Sequence, residues 1–271
     1  FSNEVQMTPA LKALEPGTVL RVLADDGRAL GTALFNPHPL ISARLVDRDP
    51  EAVIDRGFLG RRITRALALR EKLLPVPHYR LIHAEADGLP GTVIDRFGDV
   101  VVVQVNTAGM ERLTDELLAA IDDVLAPRTV VLKNDSAARG LEGLDSHVRL
   151  AKGSLDGPIE LIENGARFLA DPREGQKTGW FFDQRDNRAA VARLSAGARV
   201  LDLYSYCGGF AVQAALAGAA EVTAVDRSQP ALDFAAQAAE LNGVAGRCAF
   251  RRAEAFEELQ RLADARERFG V

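Results

Sequence analysis

The sequence is short of several features that mark particular classes of protein. Its only two cysteines, Cys207 and Cys248, stand far apart, which predicts neither a disulfide framework nor a zinc site and fits a reducing cytoplasm. The four histidines are scattered without metal-ligand spacing, so no metal is expected. No run of eighteen apolar residues occurs, and we therefore expect neither a membrane-spanning helix nor a membrane partner.

An excess of basic charge is also missing from the chain as a whole, whose net charge is −5. The charge is nevertheless uneven, since residues 1–80 carry 12 Lys and Arg against 9 Asp and Glu. Five arginines fall within fifteen residues that contain no acid: Arg56, Arg61, Arg62, Arg65 and Arg70. The run fits the solvated face of an amphipathic helix and a stripe that contacts RNA phosphates equally well. In the second interpretation the candidate RNA-binding residues are Arg56, Arg61, Arg62 and Arg65.

The most informative segment is residues 200–226. An apolar strand ends near Asp202, two glycines (Gly208 and Gly209) precede a helix, and a second apolar strand ends on Asp226. This order predicts a βαβ unit with a ligand crevice at the carboxyl ends of its strands. A carboxylate at Asp202 would repel a dinucleotide pyrophosphate but attract an ammonium and a sulfonium group.

The segment therefore predicts binding of S-adenosylmethionine (SAM), with Asp226 accepting hydrogen bonds from the ribose hydroxyls. The glycine spacing does not match the G-x-G-x-x-G pattern of nicotinamide-binding folds. A nicotinamide cofactor and an α/β domain that binds nothing are the alternatives.

Hydrophobic periodicity divides the chain into four segments. Residues 1–50 read as short strands of a partial β-barrel, and 51–78 as a helical connector ended by Pro75 and Pro77. Residues 79–170 read as a central α+β domain that ends in a hairpin around Asn164 and Gly165. From 171 to 271 strands and helices alternate, which predicts the first part of a Rossmann-like α/β domain.

Three segments resemble a known family, namely residues 79–98, residues 176–188 and the strand-and-glycine segment from 200. They are similar to the SAM-dependent 23S rRNA methyltransferases that carry an N-terminal PUA domain and make 5-methylcytosine. The resemblance covers nearly the whole chain and implies a PUA-like barrel, a central α+β domain and a Rossmann-like class I SAM methyltransferase domain. It also implies that part of the PUA domain precedes Phe1 and that an Asp-Pro-Pro loop and a catalytic cysteine lie beyond Val271.

The same resemblance implies further cofactor-binding residues. Tyr204 joins Asp202, Gly208 and Gly209 at the methionine end, and Glu254 lies near the adenine amino group, although Ala253 replaces an acid that the family often has. Gln184 and Arg185 belong to the 176–188 segment and are expected to line the crevice; helix capping and packing is their other interpretation. Cys207 is expected to be a small buried side chain, so no catalytic residue is assigned.

The predicted reaction is methylation of cytosine C5 in 23S rRNA by a cytoplasmic enzyme. In that chemistry a cysteine thiolate adds to C6 of an extruded base and is later eliminated. Two alternatives stay open: methylation of a guanine or adenine amino group of rRNA, and an RNA-binding protein whose SAM fold is vestigial. The sequence leaves the target nucleotide undetermined, and it leaves a homodimer open.

Overall fold

A computed structural model describes residues 1–271, and its contacts divide the chain into two compact units, Phe1–Leu155 and Asp156–Val271. None of the helices combines the length and the hydropathy that a membrane-spanning helix requires. The first unit contains eight strands and five helices. These are α1 (Pro9–Lys12), β1 (Thr18–Leu23), β2 (Ala29–Phe35), β3 (Ala43–Asp47), α2 (Arg56–Leu73), β4 (His78–His83), β5 (Thr92–Phe97), β6 (Val100–Val105), α3 (Ala108–Arg112), α4 (Thr114–Leu125), β7 (Thr129–Asn134), α5 (Ala138–Leu141) and β8 (His147–Lys152).

The first three strands form an antiparallel sheet in the order β1-β2-β3. Along β1 half-buried and exposed residues alternate, as expected for a strand with one face covered. Gly27 makes the turn into β2 with a φ of +80°, a value that glycine adopts without strain. The predicted strands of the first segment are therefore present, as an open three-stranded sheet.

The rest of the first unit is built on a five-stranded sheet in the order β4-β5-β6-β7-β8. Every residue of β6 and β7 is buried, and the apolar side chains of α2 and α4 pack against the core that these strands form. Asp55 begins α2 by accepting the backbone N–H of Phe58. Only β6 and β7 pair in parallel, since the other neighbouring strands of this sheet are antiparallel.

The second unit contains an antiparallel hairpin and a parallel sheet of order β11-β12-β13. Its elements are β9 (Ile159–Glu163), β10 (Ala166–Ala170), α6 (Arg185–Leu194), β11 (Arg199–Leu203), α7 (Gly209–Leu216), β12 (Glu221–Asp226), α8 (Gln229–Leu241), β13 (Cys248–Arg252) and α9 (Ala255–Asp264). Ser228 caps α8 by accepting the N–H of Ala231, and Pro230 lies in its first turn, where its missing N–H leaves no hydrogen bond unmade. The carboxyl ends of the three parallel strands consequently meet at one edge.

Two features differ from the sequence-based organisation. The hairpin of β9 and β10, which we expected to close the central segment at residue 170, packs with α7 and α8 and lies in the second unit. Its inward residues, such as Leu161 and Phe168, are fully buried there. The edge strand β8 was not predicted, because its exposed residues and its charges mask any alternation.

Candidate active site

The loop from β11 to α7 has an unusual backbone. Tyr204, Tyr206 and Gly208 have φ values of +58°, +49° and +76°, so alternate residues are left-handed. Such conformations are unfavourable for tyrosine and concentrate at functional sites. The loop lies where β11 and β12 end, which makes this edge of the sheet the candidate site.

A cavity of about 580 Å³ opens at this edge. That volume falls within the range of sites that bind small molecules and cofactors. The lining combines aromatic rings with polar and charged groups: Gln176, Trp180, Phe181, Gln184, Arg188, Tyr204, Ser205, Tyr206, Gly209, Phe210, Val225, Asp226, Arg227, Ala253, Glu254 and Ala255. Rings beside a few convergent polar groups can hold a nucleoside with an amino-acid tail.

Asp226 is the acid at the end of β12, and its side chain fixes the loop. One carboxylate oxygen accepts the N–H of Tyr206 and the other the N–H of Ser228, each at 2.9 Å. The residue is only 8% exposed, and what is exposed lines the cavity. Each oxygen keeps a second lone pair, so Asp226 can still accept hydrogen bonds from a ligand.

Asp202 lies beneath the cavity and is not part of its lining. Its Oδ2 accepts the N–H of Ala211, in the first turn of α7, at 3.1 Å. Burial raises the pKa of Asp202 to about 7, while this hydrogen bond and Arg188 oppose the rise. A nearby cation would return the carboxyl group to its charged form.

Glu163, at the end of β9, holds two functional side chains in place. It is fully buried, and it accepts Nε1 of Trp180 at 3.0 Å and Nη1 of Arg188 at 2.7 Å. Nε of Arg185 lies 3.8 Å from the same carboxylate. Glu163 thus holds the 176–188 segment against the hairpin of β9 and β10. Glu163 was not identified from the sequence.

The hydroxyl of Tyr206 joins the 176–188 segment to the loop after β11. It accepts the N–H of Gln176 at 3.1 Å and donates to the carbonyl of Gly179 at 3.2 Å. The ring of Phe181 meets that of Tyr206 edge-on, with centroids 5.4 Å apart. Burial raises the pKa of Tyr206 far above its usual value, so the hydroxyl stays protonated. Its two hydrogen bonds then hold the 176–188 segment against the loop.

The structure brings five of the eight predicted cofactor residues to the cavity: Gln184, Tyr204, Gly209, Asp226 and Glu254. The other three, Asp202, Gly208 and Arg185, lie outside its lining. Arg185 is drawn toward Glu163, which accords with the packing interpretation of that residue.

Gly208 is required by packing as well as by its positive φ. A Cβ there would lie 2.8 Å from Cβ of Ala235 in α8, so a glycine lets α7 approach α8.

Sequence reasoning missed Arg188, Phe210 and Tyr206 as lining residues. Arg188 stands in the 176–188 segment, three residues after Arg185, and that helical spacing was the available signal. Arg188 can occupy its position because residue 209 is a glycine. A Cβ at Gly209 would lie 2.5 Å from Nε of Arg188.

The two cysteines are poorly suited to act as nucleophiles. Cys207 is 1% exposed, as expected from the sequence, and burial raises its pKa to about 12. Burial also raises the pKa of Cys248, to about 11. Thiols in this state are almost entirely protonated at neutral pH. No group of three or more His, Cys, Asp or Glu side chains is arranged to hold a metal ion.

In three dimensions the arginine run in the first unit is not free of acids. Arg56 pairs with Asp123, Arg62 with Asp47 at 2.8 Å and Arg70 with Asp87 at 2.6 Å. Arg61 and Arg65 are in none of the structure's ion pairs, and with Arg62 they line a cleft of about 540 Å³. The cleft also contains four acids: Asp47, Asp49, Glu51 and Asp55. Two of the four predicted RNA-binding arginines are thus engaged by carboxylates of the protein itself.

Comparison with known proteins agrees with this geometry. Residues 138–266 match the model of a family described as S-adenosylmethionine-dependent methyltransferase, and residues 1–48 match that of a PUA-like domain. Among curated proteins, the chain is 38% identical over 262 residues to ribosomal RNA large subunit methyltransferase I of Erwinia tasmaniensis, covering 95% of this chain and 66% of that protein. The chain is also 37% identical over 260 residues to ribosomal RNA large subunit methyltransferase I of Aeromonas salmonicida, covering 94% of this chain and 66% of that protein. The chain thus spans slightly less than two thirds of the length of these relatives.

Solved structures show the same fold. A protein from Streptococcus mutans described as a SAM-dependent methyltransferase superposes with a TM-score of 0.82 at 21% identity, covering 94% of this chain and 67% of that one. A second structure, of a methyltransferase complexed with S-adenosylhomocysteine (SAH), gives a TM-score of 0.81 at 22% identity, covering 94% and 66%. The predicted fold class is confirmed: an α/β protein with a Rossmann-like SAM methyltransferase domain and an N-terminal PUA-like domain.

Proposed function

We propose that this protein is a SAM-dependent methyltransferase of large-subunit ribosomal RNA, and that its target atom is C5 of a cytosine in 23S rRNA. The observation that carries the proposal is the cavity at the carboxyl ends of β11 and β12, in a segment that matches the SAM-dependent methyltransferase model. The RNA substrate is proposed because the relatives are named as methyltransferases of large-subunit ribosomal RNA.

The residues present fit the proposed cofactor. Asp226 offers carboxylate lone pairs to ribose hydroxyls, and Glu254 lies in the lining after β13, where it can accept from an adenine amino group. The rings of Trp180, Phe181 and Phe210 supply apolar surface. Bound SAM would supply an electrophilic methyl group.

The chain's own residues hold the elements of the site in place. Tyr206 and Asp226 tie the loop after β11 to its neighbours, and Glu163 fixes the arginine beside the first turn of α7. A site held in this way can orient a methyl group toward one face of the cavity. The thiol that cytosine chemistry needs is not, in our proposal, that of Cys207 or Cys248.

For RNA we propose a contact surface on α2, centred on Arg61 and Arg65. Both side chains are free of ion pairs and line one cleft, whereas Arg56 and Arg62 are engaged by acids. The surrounding acids make a weak, salt-sensitive contact the expected result.

The test of the cofactor proposal is calorimetry with SAM, SAH and NAD. We expect SAM and SAH to bind and NAD not to bind, because a carboxylate at Asp202 disfavours a pyrophosphate. NAD binding tighter than SAM would contradict the proposal.

The test of the target atom uses ribosomal RNA that contains 5-fluorocytosine. Fluorine at C5 blocks the elimination that frees the thiol, so an enzyme that methylates C5 forms a covalent adduct, visible on a denaturing gel. Methylation of ordinary RNA without an adduct would favour an amino group as the target. The double variant Cys207→Ser/Cys248→Ser should keep whatever adduct the unmodified protein forms.

A further inference from the structure

Two tyrosines of the loop after β11 have a left-handed backbone, but only one of them is held by side-chain contacts. The hydroxyl of Tyr206 makes two hydrogen bonds, and its ring meets that of Phe181. The side chain of Tyr204 makes no hydrogen bond and meets no other aromatic ring, and the residue is 66% exposed. Contacts within the protein therefore explain the position of Tyr206 and do not explain that of Tyr204.

The position of Tyr204 is unfavourable in two respects. Its φ of +58° is one that residues with a side chain rarely adopt, and such residues concentrate at sites that bind ligands. Its ring is a wall of the cavity and is left largely in water, although burial of an aromatic ring is favourable. Both costs are understandable if the ring meets a ligand.

The order of the strands indicates which ligand this is. The parallel strands lie in the order β11-β12-β13, and Tyr204 follows β11 whereas Glu254 follows β13. In our proposal the adenine lies at Glu254 and the ribose at Asp226, so the methyl group is presented toward the end of β11. Tyr204 is the only exposed aromatic residue of the cavity lining, and its ring therefore lies on the side from which a methyl acceptor enters.

We propose that the ring of Tyr204 is the surface on which the target base of the RNA stacks during methyl transfer. This role depends on the proposed function and names a residue that positions its substrate. An extruded base loses its stacking partners in the RNA, and an aromatic side chain replaces them. The hydroxyl of Tyr204 has no partner in the protein, so the ring alone carries this role.

Methyl transfer from labelled SAM to unmethylated 23S rRNA tests the role of Tyr204. Tyr204→Leu keeps an apolar side chain without a π-face, and it should lower kcat/KM for RNA by about 5- to 100-fold, as expected for the loss of one stacked base. The Kd of this variant for SAH, measured by calorimetry, should change less than about threefold, because the ring contacts the RNA and not the cofactor. Tyr204→Phe keeps the ring and should stay within about threefold of the original kcat/KM.

Phe256→Leu is the matched control, because Phe256 is an 80% exposed ring of the same unit that does not line the cavity. It should change neither measurement. An equal loss of SAH affinity and of kcat/KM in Tyr204→Leu would make Tyr204 a cofactor residue and overturn the role in stacking. Unchanged kcat/KM in Tyr204→Leu, or equal losses in Tyr204→Leu and Tyr204→Phe, would also overturn it and leave the proposed function standing. A failure of the protein without substitutions to methylate 23S rRNA would instead contradict the proposed function.

Discussion

Asp202 is a half-buried residue at the end of β11, and desolvation of its carboxyl group raises its pKa to about 7. An unfolded aspartate titrates near pH 3.9, so between about pH 4 and 7 the folded protein binds the extra proton. The free energy of unfolding must then fall as the pH rises through this window. The contribution is fully present below the unfolded pKa and is lost above the folded one.

We therefore expect Asp202→Asn to stabilise the free protein at pH 8 by about 2–4 kcal/mol and to have little effect near pH 4. The asparagine oxygen can still accept the N–H of Ala211. Urea unfolding at the two pH values measures the difference, and Glu257→Gln, at an exposed site, is the control. Equal effects of Asp202→Asn at both pH values would show that the carboxyl is not strained by burial.

Asp226 fixes the loop after β11 and, in our proposal, also accepts hydrogen bonds from the ribose of the ligand. Asp226→Ala should weaken SAH binding by about 10- to 100-fold, because it removes charged acceptors for the ribose hydroxyls. Calorimetry measures the loss, and Glu221→Ala is the control, since it removes an exposed carboxylate from the other end of β12. Unchanged affinity for SAH in Asp226→Ala would place the ribose elsewhere.

At the scale of elements, α7 and α8 approach each other at Gly208. Gly208→Ala adds a methyl group 2.8 Å from Cβ of Ala235 and forces alanine into a φ of +76°. Gly197→Ala imposes a similar φ of +72° where nothing lies within 4 Å. Thermal or urea unfolding should therefore show a loss of about 1 kcal/mol for Gly197→Ala and about 2–4 kcal/mol for Gly208→Ala. Equal losses would mean that backbone strain alone fixes this glycine.

The hairpin of β9 and β10 contributes Glu163 to the site, and with it the position of two side chains. Glu163→Ala leaves Arg188 as a buried charge without its carboxylate and Trp180 without its acceptor. Unfolding experiments should show a loss of about 3–5 kcal/mol. Glu160→Ala on the same strand removes a half-exposed partner of Arg167 and should cost less than about 1 kcal/mol. Similar losses for the two variants would contradict a structural role for the buried network.

Elements with a strong hydrophobic pattern were predictable from the sequence. The apolar runs that end near Asp202 and on Asp226 marked β11 and β12. β8 was missed, since an edge strand with three charged or titratable side chains buries too little to show a pattern. The hairpin was assigned to the wrong neighbours, because the periodicity of residues 159–170 shows which side chains are buried and not what buries them.

The site was predictable to the extent that it depends on local order. Asp226 ends its strand and lines the cavity, as the position of an acid at a strand end suggests. Asp202, by contrast, turns beneath the loop to meet Ala211. Arg188 could not be assigned from the sequence, because its role requires the hairpin carboxylate and the helix start to meet around it.

At the scale of the whole molecule, the net charge of −5 opposes the binding of the proposed RNA substrate, which is a polyanion. Asp47 and Asp123 neutralise Arg62 and Arg56, so a linear count of arginines overstates the attraction. Of the five arginines on α2, only Arg61 and Arg65 are in no ion pair and keep the capacity for phosphates. Two phosphate contacts imply that log K falls against log[salt] with a slope of about −1.4 to −1.8 for this surface.

We accordingly expect Arg61→Gln/Arg65→Gln to reduce the magnitude of the salt slope by about 1.5, because each arginine releases the counterions of one phosphate. Anisotropy with a labelled fragment of 23S rRNA between about 50 and 200 mM salt measures the slope. Arg56→Gln is the matched control on the same helix and should leave the slope unchanged, since Asp123 already occupies that guanidinium. If Arg56→Gln flattened the slope and the double variant did not, RNA would have to displace Asp123, and the ion pairs of the free protein would be poor guides to its RNA-binding surface. If neither variant changed the slope, α2 would be an ordinary solvated helix and the RNA contacts would lie on other parts of the protein.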